Sequence, residues 1–105
     1  MSSFDEREKA QEAKFAHDAE LRFKAEARRN KLLAVWAAEL MGRTDVDAYV
    51  SELIATDFQE AGDEDVFRKL IGDLSVAGVN ISDIEVREKI EECFARAKEE
   101  VLTEV

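Results

Sequence analysis

The chain has 105 residues and a formal net charge of −10, with 46% hydrophobic residues, 38% charged residues, four glycines and no proline. This length suits one domain with a modest core, and the hydrophobic fraction argues against global disorder. The acidic balance argues against nucleic acid or an anionic lipid surface as the partner, because both carry negative charge. A protein partner remains.

The opening segment differs from the rest of the chain in charge. The first 31 residues hold seven of the 25 acids and eight of the 15 bases, so they sum to +1 and the remainder to −11. Large apolar side chains, chiefly Phe4, Phe15, Leu21 and Phe23, are spread too thinly for a continuous core-facing stripe. This pattern predicts either an exposed helical extension or a segment that folds on a partner, and composition favours neither.

Capping residues and apolar spacing predict where the first helix lies. Ser3 with Glu6 forms a capping box near the N-terminus. The segment is predicted as one helix from about Phe4 to Met41 or as two pieces, and its first turns should fray without tertiary packing. Its last turns carry a core-facing set of residues: Leu32, Leu33, Trp36, Ala37 and Leu40.

Three further helices are separated by glycines that predict helix ends, namely Gly42, Gly62 and Gly78. Thr44 is predicted to cap a helix that begins at Asp45, and Asp63 a helix whose first turn holds Glu64 and Asp65. Ser82 and Glu85 form a second capping box. Each of these three helices has an apolar stripe at helical spacing. The stripe of the first is Val46, Tyr49, Val50, Leu53, Ile54 and Phe58. The stripe of the second is Val66, Phe67, Leu70, Ile71 and Leu74, and that of the third is Val86, Ile90, Cys93, Phe94, Ala97 and Val101.

These patterns predict an all-α protein, a four-helix bundle with an extended, mobile N-terminal helical arm. The lone Cys93 cannot form an internal disulfide, and the longest apolar run, Leu32 to Ala38, is too short to span a bilayer. No signal peptide is recognisable in the highly charged N-terminus. We therefore expect a cytoplasmic protein with no direct membrane insertion.

No enzymatic, metal or phosphate site is predicted. Nothing in the sequence separates the pKa values of a carboxylate pair, so the acids are interpreted as solvated surface. An EF-hand loop starting at Asp57 fails because Arg68 stands where a bidentate glutamate is required. Zinc fails because Cys93 and His17 lack partners at ligand spacing, and glycine-rich phosphate motifs are absent.

Three single residues have two interpretations each. Cys93 is interpreted as a small buried hydrophobe, with a reactive thiol as the alternative. Trp36 is interpreted as a core anchor, with a partner-facing aromatic as the alternative. His17 is interpreted as an exposed, idle histidine, with the alternative that it reports pH to a complex.

Two segments resemble the zeta subunit of alpha-proteobacterial F-type ATP synthases. The first runs from Lys14 to Leu21 and continues through Ala27 to Ala38, and the second runs from Asp57 to Lys69. The resemblance covers essentially the full chain. It implies a small all-helical protein that is not an enzyme and that inhibits the ATPase direction of the rotary motor.

The resemblance also implies how the chain is divided. Residues 1–20 would be an N-terminal inhibitory arm and residues 21–105 a helical bundle, with Leu21 to Lys31 as a polar stem whose Leu21 and Phe23 can pack on the body. The arm would enter a catalytic interface between the alpha and beta subunits of the F1 sector and reach the gamma rotor. The partner-binding residues that we assign on this basis are Phe4, Arg7, Lys9, Lys14, Phe15 and His17.

Further expectations concern the oligomeric state, the location, the cofactors and the rival functions. The protein would be a monomer when free and peripheral to the inner membrane through the ATP synthase. No cofactor is expected, apart from a weak adenine nucleotide contact in the body to which no residue is assigned. The alternative function is a helical adaptor or assembly protein, in which Trp36 or an exposed face of the bundle makes the main contact. An enzyme that uses clustered carboxylates is a distant third.

Overall fold

Four α-helices form the part of the chain that the structure describes. A computed structural model describes residues 18–57 and 62–104. In chain order the helices are α1 (Ala19–Met41), α2 (Val46–Asp57), α3 (Glu64–Val76) and α4 (Asp83–Thr103). These residues contain no strand. The predicted all-α four-helix fold is therefore confirmed over this range, while residues 1–17 of the predicted arm and Phe58 lie outside it.

Helix α1 is the central element, because it contacts each of the other three helices and makes the most extensive contacts of the bundle, with α4 and α2. Leu21 and Ala25, near its N-terminus, pack with Val101 near the C-terminus of α4. Trp36, nearer the C-terminus of α1, lies close to Lys89 in the first half of α4. The two long helices are therefore antiparallel, and the start of α1 and the end of α4 lie at the same end of the bundle.

The main core is built largely from residues of the predicted apolar stripes, while Phe94 and Val101 belong to the second cluster around Leu21 and Ala25. The buried members of the main core are Leu33, Ala34 and Ala37 of α1, Tyr49 and Leu53 of α2, Val66, Leu70 and Leu74 of α3, and Val86, Ile90 and Cys93 of α4. Leu40 is an exception, because it is 44% exposed. Met41 instead packs against the core in the last turn of α1. The prediction for Leu40 was wrong.

The polar stem predicted for Leu21 to Lys31 is instead an integral part of the bundle. Leu21 and Ala25 are buried, and so are the polar residues Arg29 and Asn30. Small side chains such as Ala25 allow a neighbouring helix to approach α1 closely, so this face needs few large apolar residues. Leu21 packs on the body as predicted, whereas Phe23 is 52% exposed.

Two of the predicted helix ends are confirmed in detail. Gly42 has a φ of 70° and its backbone N–H donates to carbonyl oxygens in the last turn of α1, a left-handed geometry that favours glycine. At the start of α4, the backbone N–H of Glu85 donates to Ser82 Oγ at 3.1 Å. The backbone N–H of Ser82 donates in return to Glu85 Oε1 at 3.4 Å, which completes the capping box.

The other two caps differ from prediction. Helix α2 begins at Val46, so Asp45 and not Thr44 takes the preceding position. The Asp45 carboxylate accepts a hydrogen bond from Arg43 Nε at 2.8 Å. Asp63 does precede α3, but its side chain makes no cap hydrogen bond and lies 3.9 Å from Arg87. In both cases an arginine competes with the backbone for the carboxylate.

Candidate partner-binding site

The six residues predicted to bind the partner all precede the described part of the chain. They are Phe4, Arg7, Lys9, Lys14, Phe15 and His17, and the structure describes the chain from Asp18 onward. The described residues show how this N-terminal segment joins the bundle and which surfaces surround the junction. These two features define the candidate site.

Asp18 is a helix cap at the junction. Its backbone is extended, with φ −119° and ψ 97°. Its Oδ1 accepts hydrogen bonds from the backbone N–H groups of Glu20 and Leu21, both at 3.1 Å. Because extended backbone at Asp18 ends the helix on this side, one of the two arrangements that the sequence left open, a single helix from about Phe4 to Met41, is excluded. Helix α1 begins at Ala19, and a division of the chain at residue 20 stays a prediction.

A network of ion pairs links the first half of α1 to the end of α4. The Arg28 guanidinium donates to both carboxylate oxygens of Glu104 and, at 3.4 Å, to Glu100. Arg96 donates to the other oxygen of Glu100 at 2.8 Å. Hydrogen bonding to Glu104 raises the pKa of Arg28, and Arg96 lowers the pKa of Glu100. The surface between α1 and α4 at this end of the bundle therefore carries paired charges.

A buried polar cluster lies at the two positions of α1 that follow Arg28. Arg29 is 3% exposed and donates from Nη2 to Asp57 Oδ1 at 3.1 Å. Asn30 accepts from Arg29 Nε at 3.0 Å and donates to Asp57 Oδ2 at the same distance. The Arg29 guanidinium also lies 4.9 Å from the centre of the Phe94 ring. The cluster therefore joins α1 to the last residue of α2 and to α4.

Sequence reasoning missed this cluster, although one signal for it was present. Arg29 and Asn30 precede Leu33 and Ala34 by four residues, and positions four apart lie on the same face of a helix. A core-facing position for both was therefore implied by the apolar pattern. An aspartate at the end of the next helix, Asp57, was the available partner.

An exposed strip of mixed apolar and basic side chains follows the junction. We call it the α1 strip, and it consists of Phe23, Lys24, Ala27, Lys31 and Val35. Phe23, Lys24, Ala27 and Lys31 line a cavity of about 460 Å³, which also contacts Arg28, Ile54 and Glu104. Lys31 and Val35 line a second cavity of about 400 Å³, whose lining includes Trp36, Lys89 and Arg96 and two acids, Glu39 and Glu92. The strip thus borders two hollows, and Lys31 lines both.

Trp36 combines both of its interpretations. It is partly buried and packs against the main core, as a core anchor does. It also lines the second cavity together with Leu32 and Cys93. Lys89 lies 5.8 Å from the centre of its ring, which is within the range of a cation–π contact.

Tyr49 is the most buried titratable side chain among the described residues, and its contacts connect two helices. Tyr49 is buried, and its hydroxyl donates to Asp73 Oδ2 at 2.8 Å. Arg43 and Lys69 lie 4.6 and 5.4 Å from the centre of its ring. Burial, and then the hydrogen bond to Asp73, raise the pKa of Tyr49. This arrangement joins α2 to α3 and keeps the phenol neutral.

The described residues offer little reactive chemistry. Burial raises the pKa of the Cys93 thiol, which favours the unreactive protonated form and supports its interpretation as a small hydrophobe. No group of three or more His, Cys, Asp or Glu side chains suited to a metal ion occurs in residues 18–57 and 62–104. Asp57, the first position of the rejected EF-hand window, is engaged by Arg29 and Asn30.

These features define a small acidic helical bundle that carries an N-terminal segment on a capped junction at one end. Over the described range, no helix is both long enough and apolar enough to cross a bilayer. A family model described as ATPase inhibitor subunit zeta matches residues 1–100, and the chain belongs to this family. Comparison with curated proteins gave no match.

Membership confirms the resemblance that the sequence segments indicated. The family description supports an inhibitory role in general and association with the F1 ATPase of ATP synthase. It also suggests a regulatory protein that is not itself a catalyst. The matched range includes all of residues 1–17 and nearly all of the bundle, so both parts belong to the family pattern.

Proposed function

We propose that this protein inhibits ATP hydrolysis by the F1 sector with its N-terminal segment. In this proposal residues 1–17 insert at a catalytic interface between the alpha and beta subunits and reach the gamma rotor, while the four helices stay outside. The observation that carries the proposal is the family match, which extends through the whole segment. The cap at Asp18 supports it, because the bundle then ends where the segment begins.

The distribution of charge suits this division of labour. Residues 1–17 hold four acids and three bases, so nearly all of the net charge of −10 lies in the residues that follow. Inserting a segment into a protein interface removes water from its charges, and each unpaired charge then opposes binding. A segment with almost no net charge keeps this desolvation cost small, while the acidic bundle stays outside the interface and remains hydrated.

The length of the segment is also sufficient. Seventeen residues span about 25 Å as a helix. When fully extended they span up to about 60 Å. Either conformation reaches well into an interface from the junction at Asp18. A block of this kind is steric, so it requires no catalytic residue and no cofactor from the inhibitor.

Within the segment we assign Phe4 and Phe15 as apolar anchors, because buried aromatic side chains dominate many protein interfaces. Arg7, Lys9 and Lys14 are assigned as partners for carboxylates of the F1 subunits. We assign to His17, next to the capping residue Asp18, the proposed pH response of the complex, since histidine is the residue type whose reference pKa lies nearest neutrality. The free protein is proposed to be a cytoplasmic monomer that reaches the membrane surface through ATP synthase.

The test compares ATP hydrolysis by the cognate F1 sector with and without the purified protein. The full chain should slow hydrolysis, and the variant with both Phe4→Ala and Phe15→Ala should need at least about tenfold more protein for the same effect. Val76→Ala is the control, because Val76 is 91% exposed and lines a cavity with Met41 at the other end of the bundle. Equal potency of all three proteins would contradict the role of the segment.

The alternative function, an adaptor or assembly protein, is favoured by a different observation. The bundle itself exposes large apolar side chains, including Phe23, Val35 and Val76. An adaptor would bind the F1 sector through such surfaces and leave hydrolysis unchanged. Parallel binding and hydrolysis assays on the full chain separate the two functions, because only an inhibitor changes both.

A further inference from the structure

The α1 strip exposes apolar surface next to hollows that a partner could fill. Phe23 is 52% and Val35 40% exposed, although both lie on the central helix of the bundle. The lining of the cavity beside Phe23 includes the apolar residues Ala27 and Ile54. Exposed apolar side chains next to hollows are typical of surfaces into which side chains of a second protein pack.

The charge of the strip is opposite to that of the protein. Lys24, Arg28 and Lys31 line the cavity beside Phe23, and Glu104 is the one acid in that lining. Lys24 lies 3.5 Å from Glu20, and Arg28 is already engaged by two carboxylates. These ion pairs neutralise part of the positive charge that lines the cavity.

Lys31 differs from its neighbours on the strip. It forms no ion pair with any described residue, in a chain that has 25 acids and 15 bases. Its side chain is exposed and lines both cavities. Between Phe23 and Val35 the strip therefore carries a lysine that forms no ion pair with a described residue, with Glu39 and Glu92 further along the lining of the second cavity. An acidic surface with a protruding apolar side chain is its chemical complement.

The position of the strip relates it to the N-terminal segment. With a rise of 1.5 Å per residue, Phe23 lies about 8 Å along the helix from Asp18 and Lys31 about 20 Å. A partner that receives residues 1–17 faces the end of the bundle from which they emerge. The α1 strip begins within two turns of that junction, so it is continuous with the interface of the segment.

We propose that the α1 strip is a second docking surface, which binds an acidic and partly apolar surface of the F1 sector beside the place where the N-terminal segment inserts. This inference rests on the proposed function. Phe23 packs into the partner, and Lys31 pairs with one of its carboxylates. Docking at the strip raises the local concentration of the segment at its own binding site, which increases potency without any further contact.

The experiment uses full-length variants with an unchanged segment. Lys31→Glu is compared with Arg68→Glu, because each changes the net charge of −10 by the same two units and Arg68 is an exposed cation on α3. Phe23→Ser is compared with Ile84→Ser, since Ile84 is a 69% exposed apolar residue at the start of α4. Affinity for the F1 sector and inhibition of hydrolysis are measured at low and high salt, and thermal unfolding checks each fold.

We expect Lys31→Glu and Phe23→Ser each to weaken binding and inhibition by about tenfold, and both controls by less than about twofold. The salt dependence of binding should become weaker in Lys31→Glu and stay unchanged in Arg68→Glu. A partner contact at Lys31 requires these differences, and a purely structural role does not.

Several results would overturn the inference. Binding that is equal in Lys31→Glu and Arg68→Glu excludes the ionic contact, and binding by Phe23→Ser equal to that of Ile84→Ser excludes the apolar one. Failure of the wild-type chain to bind the F1 sector excludes both. If the wild-type chain binds but does not inhibit, the proposed function fails, while weaker binding by Lys31→Glu still supports the strip. Should Lys31→Glu lower the melting temperature, Lys31→Gln is used in its place.

Discussion

The Arg29, Asn30 and Asp57 cluster leads to a strong prediction about stability. Replacing Asp57 with alanine leaves the Arg29 guanidinium buried, at 3% exposure, with Asn30 as its remaining hydrogen-bonding partner in the cluster. A charge in this position has lost its solvation without an opposite charge to compensate. The substitution should therefore destabilise the bundle far more than removal of an exposed carboxylate.

The expected magnitude can be worked from burial. Removing one partner of a buried ion pair costs about 3–5 kcal/mol. The Asp57 side chain is 12% exposed, so some water reaches the site and the lower limit, about 3 kcal/mol, is expected. The unfolding entropy for a chain of this length is about 0.22 kcal/mol/K, so the melting temperature should fall by about 14 °C.

Thermal unfolding followed by circular dichroism measures this effect. The matched control is Glu104→Ala, which removes an exposed partner of Arg28 and should lower the melting temperature much less. The double variant Arg29→Met with Asp57→Ala should recover about 2 kcal/mol relative to Asp57→Ala alone, because no buried charge remains. Loss of less than about 1 kcal/mol in Asp57→Ala, or no recovery in the double variant, would refute this reasoning.

Four further substitutions should change stability, and chemical denaturation measures each. Tyr49→Phe should lose about 1 kcal/mol by removing the hydrogen bond to Asp73. Because folding raises the pKa of Tyr49, the stability linked to its protonation is present below about pH 10 and is lost above it, so the difference from Tyr49→Phe should shrink there. Gly72→Ala, at an open position inside α3, should stabilise by about 0.5–1 kcal/mol, whereas Gly42→Ala should destabilise by about 1 kcal/mol because its φ is 70°. Ser82→Ala should cost about 1 kcal/mol through loss of the capping box, and an unchanged midpoint would contradict that role.

Local signals in the sequence predicted most of the helical architecture. Every buried residue of α2, α3 and α4 belongs to a predicted stripe, although stripe members such as Val46 and Ile54 are only half-buried, and the capping box at Ser82 and Glu85 marks the start of α4. These features depend on residues within one or two helical turns of each other, so the periodicity and spacing of the sequence predict them. Cap predictions at Thr44 and Asp63 failed in detail where arginines engage the nearby carboxylates, since such pairs depend on side-chain geometry.

The first half of α1 shows why the rest could not be predicted. Alanines such as Ala25 allow close helix packing, but their small hydrophobicity does not predict a buried face. Arg29 and Asn30 are buried as well, although their polarity indicated a solvent-exposed surface. Their burial depends on Asp57, which is 27 residues after Asn30 and reaches it only through the fold. Pairings of this kind are tertiary, so local periodicity does not contain them.

The proposed partner-binding residues rested on resemblance, and the structure adds their setting. Phe4, Arg7, Lys9, Lys14, Phe15 and His17 remain predictions outside the described residues. What the structure contributes is the cap at Asp18 and the α1 strip that follows it. Neither feature was predicted, because the sequence left open whether the first helix is broken and where, and indicated that Phe23 could pack on the body.

The central claim is that the segment before Asp18 carries the inhibition. The most direct measurement is the rate of ATP hydrolysis by the cognate F1 sector with the full chain and with a shortened chain that lacks residues 1–17 and retains the Asp18 cap. The full chain should slow hydrolysis, and the shortened chain should leave the rate unchanged while its helical circular dichroism persists. Equal inhibition by the two chains would contradict the claim and would place the inhibitory surface on the helical bundle.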